Sequence, residues 1–295
     1  MKTEFQNLAK YNISNKMKYL FLILFSISTL SLAQDYTAMT YNIKLDYPKE
    51  GENSWQNRKP FFINQIKFYE PDVLGVQEAM PNQMKDMDSL LTDYSFVGVG
   101  RDDGKNEGEF SAIFYKKKEL KVLQSSTFWL SETPEKVSMG WDAVCNRVCT
   151  YALFQHKKTK ETFWVFNTHF DHVGEVARQQ SAALILEKIK TLNTKNYPVL
   201  LMGDFNLEPE SNPIKTITST LEDSKNIAKL TFGPKGTFNG FNFDKTVKRR
   251  IDYIFVSKWA ILVKKYAVLS DNWVLKYPSD HLPVFISFNF SKKDK

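Results

Sequence analysis

Seven short polar motifs, each set at the end of an apolar run, restrict the fold of this chain more than any other feature. They are Thr-Tyr-Asn42, Val-Gln-Glu78, Gly-Glu109-Phe, Asn167-Thr-His169, Gly-Asp204-Phe-Asn206, Ile-Asp252-Tyr and Ser-Asp280-His281. Apolar runs of this length, bounded by turn residues, read as strands. Each motif alone has a plain structural explanation: Asn42 or Asn206 can close a turn, and Asp204 can form an Asx-turn. Seven of them together require that distant strand ends converge on one polar hollow.

The apolar pattern supplies the strands and helices for such a site. Strands are expected at Tyr36–Ile43, Asp72–Gln77, Phe96–Gly100, Phe110–Tyr115, Val122–Ser125, Arg147–Gln155, Thr162–His169, Pro198–Gly203, Arg250–Val256, Tyr266–Leu269 and Val284–Phe290. Helical spacing appears in Arg58–Tyr69, with Phe62, Ile66 and Tyr69 on one face. It recurs in Pro81–Leu91, with Pro81 in the first turn, and in Glu175–Leu192, with Val176, Ala183, Leu186 and Ile189 as the apolar face. Strands interspersed with a few helices predict two facing sheets with helices outside, an α/β (α+β) sandwich. The 295 residues show no linker or repeat after residue 34, so one catalytic domain is expected over 35–295.

Residues 1–34 carry a different signal. From Met17 the chain has a basic start, an apolar core from Tyr19 to Leu32 and a small residue at Ala33, the pattern of a secretory signal peptide with Met17 as start. The apolar core is too short for a membrane span, and no stable span is expected once it is removed. The expected destination is therefore the periplasm or the medium. Four lysines and one glutamate lie in this segment, so residues 35–295 keep +4 of the formal +7. That mild excess suits an anionic substrate without forming a nucleic-acid stripe. Cys145 and Cys149, in an extended segment, would stand about 13 Å apart, beyond disulfide reach. Two free thiols are expected.

Hydrolysis of a phosphoester needs a cation near the phosphoryl oxygens, an activated water and a proton for the leaving oxygen. A hard cation such as Mg²⁺, or Mn²⁺, takes carboxylate and amide oxygens. Glu78 is the first choice of ligand, with Asn42 and Asp280 beside it.

In their order and spacing from Tyr41 to Pro283, the motifs resemble those of the endonuclease/exonuclease/phosphatase superfamily, which includes deoxyribonuclease I, deadenylases, bacterial sphingomyelinases and inositol polyphosphate phosphatases. The resemblance implies a four-layer α/β/β/α sandwich. It implies that Asp204 activates the attacking water and that Asn206 holds a phosphate oxygen. His281 would contact the scissile phosphate, kept cationic by Asp252, and His169 would be the second imidazole, paired with Glu109. A carboxylate beside each imidazole favours its charged form. Arg147 and Asn167 are the expected substrate-binding residues, with a structural ion pair the alternative for Arg147. His156, in a Lys-rich turn, is expected to be exposed, and His172 to stand at or behind the site. The sequence departs from the DNA-repair members at Lys44, where some carry an acid, and in lacking their tyrosine-and-asparagine motif. The resemblance is nearest to bacterial members related to deadenylases.

The substrate is expected to be phosphorylated, with nucleic acid or a nucleotide favoured, as for a 3'-5' exoribonuclease. A phosphatase or a sphingomyelinase-like phospholipid phosphodiesterase is the alternative. The loop 236–250 offers Phe238, Phe241 and Phe243 for base stacking and Lys248 and Arg249 for phosphate, or else a core plug with a basic rim. Trp259 and Trp273 are the candidates for a lipid-entering hairpin, though neither lies in a clearly apolar one. A non-catalytic binding domain is disfavoured, because every expected ligand, base and histidine position is intact. A monomer is expected.

Overall fold

The computed structural model describes residues 35–47 and 49–291; the expected signal segment, residues 1–34, lies outside them. In chain order the elements are β1 (Tyr36–Asn42), α1 (Trp55–Tyr69), β2 (Val73–Gln77), α2 (Pro81–Leu90), β3 (Tyr94–Val97), β4 (Ile113–Lys116), β5 (Leu120–Trp129), β6 (Val148–His156) and β7 (Thr162–His169). There follow α3 (Glu175–Leu192), β8 (Val199–Asp204), α4 (Asn212–Thr220), β9 (Leu221–Asp223), α5 (Ser224–Ile227), β10 (Leu230–Phe232), β11 (Asp252–Ser257), β12 (Ile261–Val268) and β13 (Val284–Phe290). One sheet runs β10-β12-β13-β1-β2-β4-β3, the other β5-β6-β7-β8-β11-β9.

The central strands are apolar on both faces because both faces are covered. Alternation assigns each face its layer. Ala38 of β1, Val165 of β7 and Leu200 and Met202 of β8 meet in the core between the sheets. Met39 and Tyr41 of β1 turn the other way, onto Phe62 and Ile66 of α1 and Met84 and Met87 of α2. Trp164, Phe166 and Leu201 face Ala182 and Ile185 of α3 and Ile214 and Ile217 of α4. Three cores in series make the α/β/β/α sandwich. Among the described residues no helix is long and apolar enough to cross a membrane.

Four local expectations change. The buried face of α3 is Ala177, Ser181, Ala182, Ile185 and Ile189, while Val176 and Ala183 are exposed. Small side chains let the helix lie close on the sheet, and Ser181, polar but small, belongs to that face. His156 is buried rather than exposed: the following turn folds back so that the Thr159 N–H donates to its Nδ1 at 3.0 Å, and Tyr36 meets the ring edge-on at 5.4 Å. Trp273 does lie in an apolar hairpin, whose tip is Val274 and Leu275, all three exposed. The short α4, α5, β9 and β10 were not anticipated. Cys145 and Cys149 are free, as expected.

Candidate active site

Strand direction explains why residues so distant in sequence meet. β1 and β2 are parallel, with Asn42 opposite Gln77, so Asn42 and Glu78 leave the sheet side by side. β7 and β8 are parallel in the other sheet, with His169 opposite Asp204. β11 runs antiparallel to β8, which sets its first residue, Asp252, opposite Asp204. β13 is antiparallel to β1, so the segment before it passes the end of β1, and the Ser279 hydroxyl donates to the Asn42 carbonyl at 2.7 Å. Arg147 precedes β6 beside the end of β7. The Phe110 N–H, donating to Ala79 O at 2.8 Å, brings Glu109 alongside. One rim thus holds Glu78, Glu109, Arg147, His169, Asp204, Asn206, Asp280 and His281, around a cavity of about 420 Å³.

The carboxylates on this rim are crowded and buried. The Asn42 amide nitrogen donates to Glu78 Oε1 and Asp204 Oδ2, both at 2.9 Å, and its oxygen accepts from the Lys44 N–H. Asn42 therefore bridges two carboxylates with its nitrogen; as a metal ligand its amide would have to turn over. Lys44, unassigned from sequence, stands 4.0 Å from Glu78 and 3.7 Å from Asp280. Burial alone would raise Glu78, but Lys44 and the Asn42 amide outweigh it and hold Glu78 below the usual range. Burial raises Asp280, with Glu78 adding to the effect and His281 opposing it. Burial, with Asp252 next to it, pushes Asp204 up to about 7.

Carboxylates held against their preference for water mark a place for a cation. Glu78, His169 and Asp204 present ligand atoms within 4.8 Å of one another, as do Asp204, Asp252 and His281. The donor set fits a divalent ion: Glu78 belongs to the first of these groups, and it shares with Asp280 a single ion-pair partner among the described residues, Lys44. Lys44, Glu78 and Asn206 all adopt left-handed backbone, with φ of 57°, 60° and 53°, a conformation that side chains other than glycine resist.

The two imidazoles differ. His281 Nδ1 meets Asp252 Oδ2 at 2.9 Å, and Nε2 lies 3.8 Å from Asp204. Burial would lower this imidazole, but Asp252 and Asp204 outweigh burial and push it up to about 10. It is cationic, as expected. His169 is not. Burial first, then Arg147 and Arg101, holds it well below the ordinary imidazole value. Its expected partner Glu109 stands 3.9 Å away and is engaged by Arg101 at 2.7 Å. The Asn206 amide, oriented by donating to Phe170 O at 3.0 Å, also donates to His169 Nε2 at 3.1 Å. That assigns the ring proton to Nδ1, which has no hydrogen-bond partner among the described residues.

Arg147 reaches the cavity as expected. Its Nε lies 3.4 Å from the buried Asp171, its Nη2 2.9 Å from His172 Nδ1, and its Nη1 has no hydrogen-bond partner among the described residues. Asn167 does not reach it. Its amide donates to the Val76 and Ala112 carbonyls at 2.9 and 2.8 Å and accepts from Gln77 Nε2 at 2.6 Å. Fully buried between the sheets, it stitches them together beneath the site; this corrects its expected contact with substrate. The close approach is possible because Gly75 has no Cβ, which would stand 2.6 Å from Asn167 Oδ1. Of the loop 236–250, Phe238 and Arg249 line the cavity. Phe241 instead lies against Arg58, and Phe243 against Tyr277. Arg101 was missed, because it sits in a polar glycine-containing turn without periodicity.

A family model described as the Endonuclease/Exonuclease/phosphatase family matches residues 39–281. Among solved structures, a mannosyl-6-phosphatase of Bacteroides thetaiotaomicron is 38% identical with a TM-score of 0.85, over 86% of this chain and all of that one. An uncharacterised protein of Acanthamoeba polyphaga mimivirus is 28% identical over 79% of this chain and 92% of its own. The probable CCR4-Not 3'-5'-exoribonuclease subunit Ccr4 of Vairimorpha ceranae is 24% identical over 92% of this chain, which spans only 64% of that protein. Members of this family hydrolyse phosphoester bonds, and with the matched region running from β1 to His281, the chain belongs to the endonuclease/exonuclease/phosphatase family.

Proposed function

We propose that this protein is a phosphomonoesterase, dependent on Mg²⁺ or Mn²⁺, that removes a terminal phosphate from a sugar. The observation that carries this reading is the lining of the cavity. Its one Phe, Tyr or Trp among the described residues is Phe238, which meets His281 edge-to-face at 5.1 Å and whose face is covered by Arg249 at 5.5 Å. No open phenyl, phenol or indole face is left for a base to stack on, whereas a polar hollow of about 420 Å³ suits a hydroxylated ring. The 38% identity to a mannosyl-6-phosphatase supports the same class.

Glu78 and Asp280 would hold the divalent ion, which when bound stabilises charge on the phosphoryl oxygens. The remaining work falls to the chain's own groups. Asp204, its carboxyl pushed up to about 7, accepts the proton of the attacking water at a value close to working pH. Cationic His281, its ring fixed by Asp252, donates from Nε2 to the phosphate and gives that proton to the departing sugar oxygen, which leaves as a hydroxyl; the proton taken up by Asp204, 3.8 Å away, restores it. Arg147 Nη1 and the Nδ1–H of neutral His169, both without hydrogen-bond partners among the described residues, are donors for the other oxygens.

A second reading, a nucleotide phosphodiesterase, draws on the likeness to an exoribonuclease subunit. The test is release of inorganic phosphate from mannose 6-phosphate, with a 5'-mononucleotide and a short oligoribonucleotide in parallel. Sugar-phosphate turnover that EDTA abolishes and Mg²⁺ or Mn²⁺ restores is expected. Cleavage of the oligoribonucleotide with no phosphate released from the sugar would replace the first reading with the second. Export through residues 17–34 belongs to the same proposal; a mature N-terminus near residue 34 in periplasm or medium is its check.

A further inference from the structure

A second hollow, of about 460 Å³, lies across the buried Arg58 side chain from the catalytic one and shares no lining residue with it. Arg58 joins them. Its guanidinium donates to the carbonyls of Ile43 at 2.7 Å and Lys44 at 3.0 Å, on the catalytic side, and of Pro278 at 2.8 Å, in the wall of the second hollow and two residues ahead of Asp280. The second hollow is lined by three aromatic side chains, Phe61, Trp273 and Tyr277, and three amides, Asn53, Gln56 and Asn57. Its cations are engaged: Arg58 by backbone carbonyls and Lys276 by Glu52 at 2.8 Å. Such a lining offers little to an anion. Flat apolar faces beside amide donors and acceptors suit a neutral ring that is apolar on its faces and hydroxylated at its edge.

Trp273 is 59% exposed, and its backbone is held in a hairpin. Its backbone N–H donates to Lys276 O at 2.9 Å and its carbonyl accepts from the Lys276 N–H at 3.0 Å, closing a two-residue hairpin. The tip residues Val274 and Leu275 have φ of 49° and 58°, where Asn-Gly is the usual choice and a β-branched residue is disfavoured. A large aromatic presented to solvent by a strained tip is an arrangement that folding alone does not favour.

We propose that this hollow is a sugar-binding subsite, taking the adjoining pyranose of an oligosaccharide whose terminal, phosphorylated sugar occupies the catalytic cavity. The inference rests on the phosphatase reading and extends it from a free sugar phosphate to a phosphorylated glycan.

The test compares mannose 6-phosphate with a mannose disaccharide and trisaccharide phosphorylated at O6 of the terminal sugar, using wild-type protein, Trp273→Ala, Trp273→Phe and Asn57→Ala. Wild type should favour the longer substrates by about tenfold in kcat/KM, mainly through KM, the effect of one good aromatic contact. Trp273→Ala should lose that preference while turning over mannose 6-phosphate unchanged, and Trp273→Phe should keep most of it. Binding of unphosphorylated mannotriose, followed by tryptophan fluorescence and by calorimetry, gives a readout without catalysis and should vanish in Trp273→Ala. Equal kcat/KM for all three substrates, with no mannotriose binding, would overturn the subsite while leaving the phosphatase reading intact. Failure to release phosphate from any of them would instead sink the phosphatase reading, and mannotriose binding would then decide the subsite by itself. Trp273-dependent binding to phosphatidylcholine vesicles, without any glycan preference, would also overturn the proposal, in favour of a lipid surface.

Discussion

His281 and His169 flank the same cavity, each facing a carboxylate contributed by the opposite sheet, and they end in opposite charge states. His281 precedes β13 in one sheet and meets Asp252 of β11 in the other. His169 ends β7, and Glu109 approaches it from the β4 side. Both rings are buried. The difference lies in the cations beside each ring and in what else holds the carboxylate: His169 Nε2 is 3.4 Å from Asp204, yet Arg147 and Arg101 disfavour its charged form. Asp252 has no other ion-pair partner among the described residues and sits 2.9 Å from its imidazole; Glu109 is 3.9 Å from its own and turned to Arg101. A neighbouring carboxylate charges a buried imidazole only when its own charge is not already answered, since burial otherwise favours the neutral ring.

The sharpest way to break this comparison is at its shared neighbour. Asp204→Asn should lower kcat by ~10³-fold or more, with folding intact, because it removes the carboxylate proposed to take the water's proton; steady-state kinetics with a melting curve check it. Asp252→Asn should lower kcat/KM by ~10²-fold and return the His281 imidazole toward neutrality, visible as a fall from about 10 in an NMR titration. An unchanged titration would place the cause of its charge elsewhere. Asn167→Ala should cost about 3 kcal/mol of stability, since it removes the side-chain donor from the Val76 and Ala112 carbonyls and one acceptor from the Gln77 amide and leaves a buried void, and leave KM nearly unchanged. A KM effect without loss of stability would restore it as a substrate contact.

The other half of the comparison is tested by Arg101→Met. Freeing Glu109 should raise the His169 value, while Glu109→Gln, removing a carboxylate already engaged, should move it little. A smaller effect concerns stability. The folded His281 value, about 10, lies above the ordinary 6.5. The pair's stabilising contribution is therefore complete below about pH 6.5 and is lost as the pH rises toward 10. The urea midpoint of wild type minus that of Asp252→Asn should shrink across that window.

How much of this was readable in the chain follows from the same physics. Asp204, Asp252 and His281 were legible because each ends or begins an apolar strand, and a strand buried on both faces can carry polar groups only at its ends. Lys44 and Arg101 were not, because their task is to answer charges whose positions only the fold reveals. Asn167 was misread for an instructive reason: two residues before His169 on the same strand, it faces the same side of the sheet but lies deeper, between the layers. His156 was misjudged from its lysine neighbours, though only the turn after it is solvated. The four-layer architecture was within reach, while the three- and four-residue elements β9, β10 and α5 are shorter than any hydrophobic period.

The left-handed backbone at Lys44, Glu78 and Asn206 implies a conflict between endurance and turnover. Glycine would relax each of these three positions, so variants chosen only for surviving heat should drift toward glycine there. Variants chosen for work on substrate should keep a long amine, a carboxylate and an amide in a posture that the lysine and the glutamate resist and the asparagine tolerates best. Laboratory evolution under the two regimes should therefore part company first at these three residues, before the packed layers around them change at all.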